Sequence, residues 1–189
     1  PESLHPPPGW LPRTLFAGLC GLILIASFIM EAVGWLRTAY LLRAAVLLIY
    51  FLVEVPAFRQ FGPAGSLATA VRIALVSLPL SYLLMAVWPL YQTSLAHLLF
   101  ITGFSLLAFA VATWVMLGHS GQSSQAKQPL WAIRFMVLFL IGAMLTRVIA
   151  DWLPEIRYTH YAYASAAFLV AAIIWAIRFL PAVRRPDPD

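Results

Sequence analysis

Long apolar runs broken by short polar punctuation make up almost the whole chain. Six of them reach the length of about 20 residues that a helix needs to cross a bilayer core about 30 Å thick. They lie at about 11–33, 38–57, 67–88, 93–117, 130–153 and 158–183. The separators are helix-stopping and turn-forming residues: Gly34, the Gly62-Pro63-Ala64-Gly65 string, Trp88-Pro89, the polar stretch 118–129, and Pro154. Pro79 falls inside the third run and is expected to kink it, which a membrane helix tolerates when its neighbours satisfy the freed carbonyl. Trp10, Trp35, Trp88, Trp131 and Trp152 all fall at run ends, where indoles anchor at the membrane–water interface. The expected fold is all-α: a polytopic membrane bundle of six transmembrane helices over 11–183. A Pro-rich lead-in at 1–10 precedes it and a short tail at 184–189 follows.

Composition agrees. Of the 189 residues, 62% are hydrophobic and only 10% are charged, against about 25% in a soluble domain. The mean hydropathy is +0.88. Cys20 is the single cysteine, so no intrachain disulfide can form and a Cys-rich metal site is excluded. The net charge of +5 points to lipid head groups and membrane topology rather than nucleic acid, because Arg184-Arg185 is the only basic pair. With six spans both termini share a side. That side collects Arg13, Arg59, Arg72, Lys127, Arg134, Arg178, Arg184 and Arg185, and the other collects Arg37, Arg43, Arg147 and Arg157. The positive-inside rule therefore predicts that both termini are cytoplasmic. The opening Pro-Glu-Ser-Leu-His-Pro-Pro-Pro lacks the positive region of a signal peptide and reads as a linker or extended lead-in.

The sparse polar residues gather toward the outer half: Glu31, Arg43, His97, Arg147, Asp151, Glu155, Arg157 and His160. The fourth span opens on Ala96-His97 and closes on Leu117-Gly118-His119-Ser120-Gly121, with an imidazole near each face of the membrane. Ionisable groups within spans are costly and mark candidate sites, and imidazole is a good ligand for haem iron or copper. His97 and His160 are expected at similar depth, so a bis-imidazole haem or a copper ion between their helices is one reading. The other is that each histidine bonds to water, head group or backbone at the interface. Arg147 and Asp151, spaced i, i+4 on the fifth span, are expected to pair on one face. Arg147 is then either half of a structural ion pair or the cation for an anionic group such as a haem propionate. Glu54 and Arg72 are expected near facing span ends, Arg43 to snorkel outward, and Tyr158, Tyr161 and Tyr163 to anchor at the interface. His119 either binds a metal or caps its helix. No CxxCH, Walker A, GxGxxG, HExxH or GxSxG pattern occurs, so no catalytic constellation is visible, and no span carries the several carboxylates of an ion-coupled transporter.

The segment from Ala96-His97 through Val115-Met116-Leu117-Gly118-His119-Ser120-Gly121 resembles the NnrS family of bacterial membrane proteins, in which a His opens a helix that ends in Leu-Gly-His-Thr-Gly. Leu145-Thr146-Arg147-Val148 is similar to that family's Leu-Arg-Val segment, and Leu78-Pro79-Leu80 to a Leu-Pro-Leu in an earlier helix. The ending from Trp175 through Arg178-Phe179-Leu180-Pro181 to Arg184-Arg185-Pro186 resembles the family's last helix and basic tail. The match spans nearly the whole chain but only the C-terminal six of the family's roughly twelve helices. The resemblance implies association with haem b, in some accounts copper, and with the bacterial response to nitric oxide; His97 and His119 are the motif positions it carries over. Trp114 and Gln122 stand where the family often has Arg, and Arg72 where it has a His, so the chain reads as a diverged member. Two functions follow as expectations: a haem- or copper-associated protein of nitric-oxide response or respiratory metabolism, and a cofactor-free accessory subunit that binds neighbouring subunits of a larger membrane complex. A small transporter carries the least support.

Overall fold

The computed structural model describes residues 9–55 and 65–184. Helices α1 (Trp10–Ala32), α2 (Leu36–Glu54) and α3 (Ser66–Val87) form the first three spans. The fourth is built in three pieces: α4 (Gln92–His97), a π-helical segment (Leu98–Ser105) and α5 (Leu106–His119). Helices α6 (Trp131–Ile149) and α7 (Arg157–Phe179) complete the six. All six spans are long and apolar enough to cross a membrane, and no strand occurs among the described residues. The expected lead-in at 1–8, the Gly62-Pro63-Ala64 turn, Arg59 and the tail from Arg185 lie outside the described residues.

Turn chemistry sets the helix ends. Gly34 (φ 93°) takes the left-handed conformation after α1, where Trp35 N–H donates to Met30 C=O at 2.9 Å. Gly121 (φ 70°) does the same after α5, with Gln122 N–H donating to Leu117 C=O at 2.8 Å. The Leu-Gly-His-Ser-Gly string is thus a helix terminus: its last glycine supplies the positive φ, and His119 rides exposed on the final turn. Helix α3 continues through Pro79. The fifth span stops sooner than expected. Residues 150–152 form a tight turn ahead of Pro154, whose ring disfavours helix at Leu153.

Helix α1 packs on α2, α2 on α3, α3 on the π-helical segment and α5, and α6 on α7. The main core joins α3, α5, α6 and α7 through Leu67, Leu106, Ile133, Met136, Leu140 and Phe179. Ala70, Ala74, Ala110, Ala132 and Ala171 sit among them and let the backbones approach, which matters because lipid offers no hydrophobic drive for helix association. Gly103 in the π-helical segment packs directly against the Leu78 side chain. A Cβ there would lie 2.5 Å from Leu78 Cδ2. Across the bundle, Trp175 Nε1 donates to Thr113 Oγ1 at 2.8 Å and ties α7 to α5.

The five tryptophans at span ends are all exposed, as an interfacial belt requires. Arg43 corrects an expectation. It does not snorkel; it is 2% exposed. Its Nε donates to Ser27 Oγ (2.9 Å), its Nη2 to Ser27 C=O (3.2 Å), and it pairs with Glu31. Its guanidinium carbon lies 3.6 Å from the centroid of the Phe28 ring, with Tyr82 and Tyr40 at 5.4 and 5.5 Å. The Tyr40 hydroxyl donates to Glu31 Oε1 at 3.0 Å and lies 2.6 Å from the Gln92 side-chain amide. With partners this close on α1, the path to the head groups loses to the path inward. Near the other membrane face, Glu54 meets Arg13 of α1 at 3.9 Å.

Candidate functional site

His97 is the last residue of α4 and is half-buried, at the point where α-helix gives way to π-helix. Its Nδ1 lies 2.9 Å from Thr93 C=O and 3.3 Å from Ser94 C=O. A carbonyl can only accept, so Nδ1 carries the proton and the Nε2 lone pair is left free. Metal-bound histidines are characteristically held this way, with the second nitrogen donating to a carbonyl or carboxylate. π-Helical turns inside α-helices are frequent at functional sites.

The imidazole borders a cleft of ≈ 400 Å³ between the fourth span, α6 and α7. Ile101, Ala164, Ser165, Phe168, Leu169 and Ala172 line most of it, and Arg147 is its one cation. The guanidinium carbon of Arg147 lies 3.8 Å from the centroid of the Tyr161 ring, and Arg147 Nη1 is buried with no hydrogen-bond partner among the described residues. His97 and Arg147 thus line one cleft, with the unpaired guanidinium N–H itself enclosed by protein.

Asp151 differs from its expected place. It stands in the turn after α6 rather than on the helix, because the helix has already ended. There it accepts from Ser94 Oγ (2.7 Å) and the Tyr161 hydroxyl (3.1 Å) and pairs with Arg157 at 3.6 Å. Burial pushes its carboxyl up, but the hydrogen bonds from Ser94 and Tyr161 and the charges of Arg147 and Arg157 outweigh that and hold it below the usual carboxylate value. Tyr161 is correspondingly more than an interface anchor. Its ring supports Arg147 while its hydroxyl holds Asp151. Tyr158 and Tyr163 are exposed as anchors are.

His160 is half-buried one helical turn before Ala164, and it is not among the residues that line the His97 cleft. Its Nδ1 has no hydrogen-bond partner among the described residues, and its ring meets Tyr163 edge-on at 6.3 Å. His119 lies at the opposite end of the same span from His97. His97 and Arg147 are therefore the pair the fold brings together. Ser94 and Tyr161, which orient that pair, were not singled out as site residues from sequence; their signal was a hydroxyl within one turn of His97 and an aromatic one turn into α7.

His97 and Arg147 supply most of the cleft's polar lining, and Ile101, Phe168 and Leu169 stand beside the smaller Ala164, Ser165 and Ala172. No group of three His, Cys, Asp or Glu residues that could hold a metal ion occurs among the described residues. No curated protein and no solved structure matches the chain. The family model described as NnrS protein matches residues 2–186.

Proposed function

The chain belongs to the NnrS family, and from that premise and the form of the His97 cleft we propose a haem-associated inner-membrane protein that serves nitric-oxide response or respiratory metabolism. The observation that supports this most is the fixed tautomer of His97, which leaves Nε2 with a lone pair on a residue that lines the same cleft as Arg147. In this reading haem b would be held by the His97 imidazole, with the Arg147 guanidinium as the cation for its carboxylates. When bound, haem supplies a redox-active iron able to take up a small diatomic ligand. The chain's own residues do the rest. Thr93 and Ser94 carbonyls hold the imidazole proton on Nδ1. Tyr161 holds the guanidinium plane, and Asp151 holds Tyr161. Ala164 and Ala172 leave width, while Phe168 and Leu169 keep water out. Both termini are cytoplasmic in this reading, which sets the His97 cleft toward the outer face.

The test is absorbance of the purified full chain. A Soret band at near-equal stoichiometry, lost in His97→Ala and weakened in Arg147→Leu, is the expected result. Protein isolated from haem-sufficient cells with no Soret band, and taking up none on addition of hemin, would end the haem reading.

One observation favours the cofactor-free accessory subunit instead. Only Cys20 and Ser27 of α1 are buried, and a Cβ at Gly18 or Gly21 would meet nothing within 4 Å. Small residues on an uncovered helix face let a neighbouring membrane helix approach closely. Native electrophoresis in mild detergent separates the two: a chain that migrates only as a larger complex and carries no haem supports the subunit reading.

A further inference from the structure

At the membrane face opposite the His97 cleft, a larger cavity of ≈ 820 Å³ opens between α3, α5 and the 3₁₀ turn Ser123–Lys127. Its walls are apolar: Leu67 and Val71 from α3, Val111 and Trp114 from α5. Its rim is polar and of one sign: Ser123, Ser124 and Lys127, with no acidic residue among the lining. The rim lies at interfacial depth, because Trp131, three positions beyond the turn's neighbour Gln128, opens α6 as an exposed belt tryptophan.

The turn is built into the bundle. A Cβ at Gly65 would lie 2.7 Å from the Lys127 carbonyl, so only glycine lets the start of α3 sit beneath the turn. Ser66 N–H donates to Gln128 C=O (3.3 Å), Ser66 Oγ accepts from Leu130 N–H (3.0 Å), and Arg178 Nη2 donates to Gln125 Oε1 (3.0 Å). Gln125 in turn donates to Gln122 Oε1 at 2.8 Å. The glutamines are thus engaged within the protein while the two hydroxyls and the ammonium stand at the cavity rim.

We propose that this cavity holds one anionic glycerophospholipid, with its phosphate at Ser123, Ser124 and Lys127 and an acyl chain along Val71, Val111 and Trp114. A hydroxyl pair and an ammonium supply the donors a phosphodiester accepts, and a single cation with no opposing carboxylate selects a net negative head group over a zwitterionic one. The apolar walls select a chain over a free phosphate. The site is separate from the haem reading and stands or falls without it.

The test reconstitutes the full chain into phosphatidylcholine vesicles containing phosphatidylglycerol brominated on its acyl chains, and in parallel brominated phosphatidylcholine. The Trp114 signal is the difference between the wild type and Trp114→Phe. Half-maximal quenching is expected at about fivefold lower mole fraction for phosphatidylglycerol, as one lysine at the membrane surface implies. The combined Lys127→Gln, Ser123→Ala, Ser124→Ala variant should lose that preference. Ala68→Phe, which fills the cavity and keeps the rim, should reduce quenching by both lipids. Equal half-saturation for the two lipids, or an unchanged preference in the rim variant, overturns the proposal. So does a brominated fatty acid that matches phosphatidylglycerol, since the occupant would then be a free amphipathic acid.

Discussion

Ser94 Oγ donates to Asp151 Oδ2 at 2.7 Å, while the Ser94 carbonyl lies 3.3 Å from His97 Nδ1. One buried serine therefore joins the turn after α6 to the imidazole of the fourth span. Ser94→Ala removes a bond to a charged acceptor that is partly exposed, so a loss of about 1 kcal/mol is expected. Unfolding of the detergent-solubilised protein measures it. The variant should keep His97 in its tautomer, because the backbone carbonyls remain.

Asp151 also sets a pH dependence. Its carboxyl is held below its ordinary value of 3.8 by Ser94, Tyr161 and the two guanidiniums, against burial. A depressed folded value means stability that is complete above the unfolded value and lost as pH falls through the folded one. The melting temperature should be level above about pH 5 and fall in stronger acid. Asp151→Asn should melt lower at neutral pH and show a flatter acid limb; parallel limbs in the two proteins would refute the assignment.

Tyr161 has two separable contributions. Tyr161→Phe keeps the ring under Arg147 and removes the hydroxyl from Asp151; Tyr161→Leu removes both. A desolvated cation–π contact is worth about 1–2 kcal/mol. Haem affinity, read by Soret titration with hemin, should therefore fall only slightly in Tyr161→Phe and by about tenfold in Tyr161→Leu. Equal losses would place the effect in the hydroxyl instead.

Arg43 and Glu31 form a pair that is expensive to break and cheap to replace. Arg43→Ala takes the guanidinium from Glu31 and Ser27 but leaves Glu31 its Tyr40 hydroxyl, for an expected loss of about 1–3 kcal/mol. Replacing both residues by methionine should recover most of that, since two well-packed apolar side chains commonly substitute for a buried pair. A double-mutant cycle in denaturant titrations gives the coupling.

Gly103→Ala places a methyl against Leu78, itself packed among Phe51, Leu75 and Leu99. Overpacking of this kind costs about 1–3 kcal/mol. Leu78→Ala in the same chain should restore part of it, although Leu78→Ala alone destabilises. Simple additivity of the two losses would show that the contact is not the cause.

The six spans were legible because each is a single-period statement: enough apolar residues in a row, then a glycine or proline. Register inside a span was not. In the uniformly apolar stretch 98–105, hydropathy reads the same for an α-helix and for the π-helix that forms. The depth of Arg43 is not legible in the sequence for a related reason. Its outward path is visible in the chain order, but Ser27, Glu31 and Phe28 come within reach only when α1 folds back on α2. At the site, His97 and Arg147 stood out because charge in a span is rare. Ser94 and Tyr161 did not, because a hydroxyl and an aromatic ring are ordinary at a span end.

The π-helical segment makes the fourth span a phase shifter. Each i→i+5 ring takes in one residue more than an α turn, so the helix beyond Ser105 is rotated relative to α4 from where an unbroken α-helix would put it. Removing one residue within Leu98–Ser105 would change the angle about the axis between His97 and Leu106. The direction in which the imidazole points and the face that α5 offers to α3 are therefore set by a residue count, and one deletion can re-aim the first while leaving every side chain of the second unchanged.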